Sequence, residues 1–347
     1  VDDPLGSGNY TMRAYNAEPD NVKDFFRTGM NAVNTLAVEG GNQFINARFS
    51  YTNNIANSIM PNSDMTRHNF NLRTYVQPAE FFNVDAKITY FMQDYNNRAR
   101  QGTEGIMAYL YTIPRNTSIE DLENYRRLPD YTSNSYGSLG ANPYFLLYEN
   151  VDTDARTRIQ GFVKATFDIT DWLSVFGRVG TDYTSTNVEV INAPGHHFYS
   201  EGSMSVSTRN FSETNMDFLV MFNKEIAAGF DLSVNLGGNL MHQRSTSMGV
   251  SGSRFRVPTK LTVASLGEFS GSYSPEVEKK IHSLYGNATL SFNNFIYLDV
   301  SGRNDWSSTL PEDNWSYFYP SVGLSVLLQE FIDPNQSFLN FLKVRGN

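Results

Sequence analysis

The chain has 347 residues, a formal net charge of −9 and no cysteine. The acidic balance argues against a nucleic-acid partner, which calls for a basic patch or stripe. The missing cysteines exclude disulfides, thiolate metal sites and a cysteine nucleophile. Aromatic residues make up 14% of a chain that is polar on average. A soluble sandwich tolerates that mixture; a membrane β-barrel requires it, with apolar positions toward lipid, polar ones toward the lumen and rings at both interfaces. No segment approaches the ~20 consecutive apolar residues of a membrane-crossing helix. The start, Val1-Asp2-Asp3-Pro4, lacks the basic and apolar regions of a signal peptide, so the expectation is an internal fragment of a longer protein.

Taken in order, the segments alternate with period two, the mark of strands. A weak candidate at 25–39 precedes 44–52, where Ile45, Ala47, Phe49 and Tyr51 oppose Asn46, Arg48, Ser50 and Thr52. After a weak candidate at 66–77, residues 82–93 set Val84, Ala86, Ile88 and Tyr90 against Asp85, Lys87 and Thr89. Residues 94–154 break the rhythm and are expected to form a long loop, with a short helix from Ser118 to Arg127, capped by Ser118 with Asp121 in its first turn. Alternation resumes at 158–169 and recurs at 173–183, 215–223, 231–241, 283–292, 295–304 and 317–328, with a weak last candidate at 338–346. The total is about twelve strands.

The connections alternate in length. Short ones lie at 40–43, 78–81, 170–172, 224–229 and 293–294. Between them come 53–65, 94–154, 191–207, 244–280 and 305–316. Short turns at one end and long loops at the other are the layout of an outer-membrane barrel, with short periplasmic turns and long extracellular loops. The fold expected is therefore an all-β, antiparallel transmembrane β-barrel. Phe81, Phe82, Trp172, Phe230 and Phe295 sit beside the short turns and read as an interfacial girdle.

Two groups of residues are candidates for function. Arg67, Arg73, Lys87, Arg158, Lys164, Arg178, Asp299 and Arg303 fall on the polar face of their strands and would line a hydrated path. The bland alternative is cross-strand pairing that stabilises the wall. In the long loop, Tyr109, Tyr111, Tyr131, Tyr136 and Tyr144, with Asp130 and Asn134, could bind a solute, rings stacking and polar groups meeting hydroxyls. The alternative there is packing of the loop itself. His196-His197 point oppositely if they lie on a strand, and no third ligand stands at a recognisable spacing, so no metal is expected. No catalytic motif is found, and neither enzyme activity nor a cofactor is expected.

Two stretches carry more than periodicity. Asn21-Val22-Lys23-Asp24-Phe25-Phe26-Arg27-Thr28-Gly29, followed by Val38-Glu39-Gly40-Gly41, resembles the segment after the plug domain of SusC/RagA-type TonB-dependent transporters of Bacteroidetes. The order Leu284-Tyr285-Gly286-Asn287, Gly302-Arg303-Asn304-Asp305-Trp306, Tyr319-Pro320-Ser321 and Lys343-Val344-Arg345-Gly346 resembles the same family's mid-barrel region. The resemblance implies part of a barrel of about 22 strands, with residues 1–347 as a partial receptor domain lacking plug and last strands. It implies the outer membrane of a Gram-negative, Bacteroidetes-type bacterium. It also implies a SusD-like surface lipoprotein as lid, energy from the TonB–ExbB–ExbD system, and import of oligosaccharides or, in some members, peptides. A passive porin and a secreted all-β carbohydrate-binding protein are the rival readings.

Overall fold

A computed structural model describes residues 15–126, 132–134, 141–196, 198–328 and 341–347. Among them twelve strands form one antiparallel sheet in chain order. They are β1 (Met30–Gly41), β2 (Ile45–Asn57), β3 (Asp64–Ala79), β4 (Phe82–Asn96), β5 (Asp152–Thr170) and β6 (Leu173–Asn192), then β7 (Ser203–Ala227), β8 (Phe230–Phe255), β9 (Leu266–Phe292), β10 (Ile296–Ser307), β11 (Ser316–Leu327) and β12 (Lys343–Gly346).

The sheet is open, and this corrects the expectation of a transmembrane β-barrel. Among the described residues β1 pairs with β2 alone and β12 with β11 alone, so no ladder joins the first of these strands to the last. Closure requires two edge strands that meet along their length. Here the two edge strands, β1 and β12, are not paired with each other among the described residues. Expected boundaries also shift. The connection expected at 244–280 is mostly strand: β8 runs on to Phe255 and β9 starts at Leu266. Apolar alternation fades there while the backbone ladder continues, and period-two hydrophobicity registers only the part of a strand with one apolar side.

Register divides the sheet into two unlike faces. On one, apolar side chains align across strands, as in the row Phe230, Phe292, Ile296 and Val326. Along β8 this face reads Phe230, Leu232, Val234, Leu236, Gly238, Leu240, and then turns polar at His242 and Arg244. Leu36, Val38, Leu236, Phe318 and Val322 on this face are exposed, and no second layer covers them among the described residues. The opposite face is polar.

The short turns have local causes. Asn42 Oδ1 accepts from the backbone N–H of Phe44 and of Ile45, at 2.8 and 3.1 Å, and folds the β1–β2 hairpin as an Asx turn. Asn293 and Asn294 take φ of 45° and 58°, a conformation asparagine tolerates, and so close β9 onto β10. Aromatic pairs gather beside these turns: Phe82–Phe167 and Phe230–Phe292 with centroids 4.6 Å apart, and Trp172–Phe222 at 5.3 Å.

The main buried core lies off the sheet, in the insertion between β4 and β5. It holds α1 (Ile106–Thr112), α2 (Ile119–Glu123) and α3 (Pro143–Tyr148). Ser118 and Asp121 form a reciprocal capping box on α2, which stops at Glu123, short of the expected Arg127, a residue outside those described. Ile106, Tyr109, Leu110, Leu122, Leu146 and Leu147 close around Phe25, from the segment ahead of β1. Asn21, one turn earlier, donates to the carbonyls of Pro114 and Thr117 at 3.1 and 2.9 Å. The insertion is thus clasped to the N-terminal segment.

Candidate functional site

The strand period places all eight charged residues expected to line a path on the polar face, opposite in parity to the apolar rows. Four of them are neutralised by an aspartate. Arg73 makes two bonds to Asp85, at 3.0 and 2.8 Å. Arg158 pairs with Asp182. Arg178 lies opposite Asp217, with Nη2 2.8 Å from Oδ2. Arg303 reaches Asp305 at 2.8 Å and Ser283 at 3.0 Å. Arg67 donates to Gln93 at 2.8 Å, and Asp299 accepts from Thr289 at 2.6 Å. Lys164 Nζ stands 4.5 Å from the centroid of Phe176. Lys87 has no hydrogen bond or ion pair among the described residues.

Three of the eight, Lys87, Arg178 and Arg303, share one concavity of about 570 Å³ in the middle of this face. Its lining adds Gln160, Glu213, Asn215 and Asn239. Asn239 donates to Asp217 at 2.8 Å, and Asn215 to Glu213 at 2.8 Å. A site that mixes charges of both signs with amides and hydroxyls suits a hydrated, hydrogen-bonding solute. Sequence reasoning did not single out Glu213. The available signal was its parity on β7, since it lies in register with Asp182 on the polar face.

The loop candidates separate sharply. Tyr109 and Tyr144 are 1% and 7% exposed and belong to the core of the insertion. Burial raises the Tyr144 phenol to about 12, with the Glu123 charge adding to the effect. Tyr111, by contrast, is 67% exposed. Asn134 braces the insertion: its backbone N–H donates to Tyr125 at 2.7 Å and its side chain to Asn124 at 3.0 Å. Asp130, Tyr131 and Tyr136 lie outside the described residues. So does His197. Its neighbour His196 is buried, with its ring 5.4 Å from that of Tyr199.

The root of the insertion is fixed by Arg100. It makes two 2.7 Å bonds to Asp152, one of 2.6 Å to Asn192 and one of 3.1 Å to the Ile191 carbonyl. It thereby ties the end of β4 to β5 and β6. Tyr199 Oη donates to Glu104 at 3.0 Å from the next connection.

No protein family matches the sequence, and no curated protein does. Solved structures do match the fold. A structure of the RagAB peptide transporter superposes with a TM-score of 0.76 over 95% of this chain and 38% of that one, at 19% identity. The ferric citrate transporter FecA, unliganded, gives 0.51 over 86% of this chain and 39% of that one, at 12% identity. BauA, the ferric preacinetobactin receptor of Acinetobacter baumannii, gives 0.53 over 86% and 44%, at 13% identity. The chain spans about two fifths of the length of these structures, and what it is similar to, in fold, is a stretch of solute transporters and receptors.

Proposed function

We propose that this chain is part of an outer-membrane importer of the TonB-dependent kind, and that the solute it handles is a peptide. The observation that carries the reading is the pairing of two unlike faces on one sheet. The apolar face, from Phe230 to Leu240 on β8, is eleven residues long and carries no second layer among the described residues. That matches the ~9–11 residues a tilted strand needs to cross a bilayer. The polar face carries the concavity and would meet the solute. A secreted carbohydrate-binding protein with a sealed core is disfavoured, since nothing among the described residues covers the apolar face.

Peptide is preferred to oligosaccharide because three structures of the RagAB peptide transporter share this fold over nearly the whole chain, at TM-scores of 0.74 to 0.76. The mixed charges at Lys87, Arg178 and Glu213 suit a peptide better than a neutral sugar. A SusD-like lipoprotein and the TonB–ExbB–ExbD system are the proposed partners, engaged through the whole protein. Within the insertion, Tyr111 is the proposed solute contact, while Tyr109 and Tyr144 hold the core.

The test is uptake of labelled oligopeptides and oligosaccharides by cells carrying the full coding region, with and without TonB. TonB-dependent peptide accumulation supports the reading. Accumulation of sugars alone replaces peptide with glycan, and TonB-independent leakage of both would point to a passive pore.

A further inference from the structure

Several arginines on and beside the polar face are neutralised by an aspartate, while Arg156 and Arg209 are not. Arg73, Arg98, Arg100, Arg158, Arg178 and Arg303 each hold an aspartate within 3.0 Å. Arg156 on β5 and Arg209 on β7 hold no hydrogen bond, ion pair or ring contact among the described residues. They occupy one register row, Arg156 opposite Thr186 and Thr186 opposite Arg209. Two inter-strand steps separate their backbones, about 10 Å. Both side chains project from the same face and line the same concavity of about 680 Å³, close to the root of the insertion.

The other charges facing that concavity do not neutralise them. Arg98 and Arg100 are present with Asp154 and Asp152, and each aspartate is already bound by its own arginine at 2.7 Å. What remains is an excess of two guanidinium groups in a concave site. Arginine side chains extended from backbones that far apart can converge on a single group between them, and the guanidinium fork fits a carboxylate through two parallel bonds.

We propose that the concavity between Arg156 and Arg209 is an anion subsite that takes a carboxylate of the imported solute. It rests on the import reading for the origin of the ligand, though not for the binding itself. The carboxylate could come from an acidic side chain of a peptide or from a uronic acid of an oligosaccharide. Both present the same planar anion to the two forks. Thr186, between them in the row, adds a hydroxyl to the site.

The experiment is equilibrium binding to the purified full-length protein in detergent. Four probes are used: tetraglutamate and its neutral twin tetraglutamine, and tetragalacturonate and its methyl ester. At least one acid should bind more tightly than its neutral twin, and the preference should weaken with salt. Arg156→Gln and Arg209→Gln should each reduce the acid's affinity about tenfold while leaving the twin unchanged. Arg244→Gln, on the opposite face, should leave the ratio of acid to twin as it was, and Arg156→Lys or Arg209→Lys should keep part of the preference that the glutamine variants lose. If neither acid is preferred, or the preference survives both glutamine variants, the subsite does not exist. Which acid binds identifies the source, and cellular uptake judges the import reading separately: an acid preference lost in the variants, without accumulation in cells, keeps the subsite and sinks the importer.

Discussion

Phe218 on β7 reaches over Gly238, its register partner on β8, so that a β-carbon on the glycine would stand 2.6 Å from the Phe218 ring and 3.1 Å from the Ser283 carbonyl. The ring covers the gap that the missing side chain leaves in the apolar face, a known way of rescuing a strand glycine. Gly238→Ala should lower stability by about 1–3 kcal/mol through overpacking. Phe218→Leu in the same chain should recover part of that loss. Thermal unfolding of the full-length protein in detergent checks both variants, and an alanine with unchanged stability would mean the ring has room to move.

Arg178 and Asp217 provide a second measurement. The arginine is half exposed and the aspartate nearly buried, and Asn239 donates to the same carboxylate. Arg178→Ala should cost about 1–2 kcal/mol because the aspartate loses a charged donor. A double-mutant cycle with Asp217→Asn should give a coupling of about 1 kcal/mol or less, given the exposure of the pair. A coupling near zero would leave the pair to solute binding instead of wall stability.

Phe25 tests the clasp between the N-terminal segment and the insertion. It is 1% exposed and its ring centroid lies 5.0 Å from that of Tyr144. Phe25→Ala should cost the insertion about 3–5 kcal/mol. Limited proteolysis should then cut within 97–151 while the sheet stays intact. Equal loss of both would show that insertion and sheet unfold as one unit.

The buried phenol of Tyr144 gives the insertion an alkaline limit. Its folded value of about 12 lies above the ordinary tyrosine value of about 10. Burial holds the neutral form, so the folded state keeps a proton that the unfolded state gives up. The stabilisation is complete below about 10 and disappears as pH rises from there through about 12. Burial also raises Tyr109 and Tyr125, which act in the same direction. Hydrogen exchange of the insertion should accelerate over that range, and Tyr144→Phe should shrink the pH dependence. A steeper dependence in the phenylalanine variant would reverse the assignment.

How much of this was legible in the sequence depends on whether the signal was local. Alternation at 44–52 and 82–93 located β2 and β4, and the Ser118–Asp121 spacing located the start of α2. The upper reaches of β8 and β9 were illegible because His242, Arg244, Glu278 and Lys280 replace the apolar side chains of the same face. Closure was misjudged because pairing of the first and last strands is not encoded in any strand's own pattern. The loop tyrosines were grouped by proximity in sequence, yet Tyr109 and Tyr111, two residues apart on α1, fall in the core and in solvent. The arginine row escaped for the opposite reason. Arg156 and Arg209 are 53 positions apart and meet only through register.

β7, β8 and β9 contain 25, 26 and 27 residues. If eleven of those on β8 sit in lipid, some fifteen continue past it, about 50 Å along the strand. Because the ladder between β8 and β9 resumes after one irregularity at Ser245–Ser247 and runs to Phe255 and Leu266, that projection is a stiff mast and not a tether. A push or a docking event at its tip, residues 256–265, would be transmitted to the membrane edge as displacement of a rod, where a slack loop of equal length would absorb it.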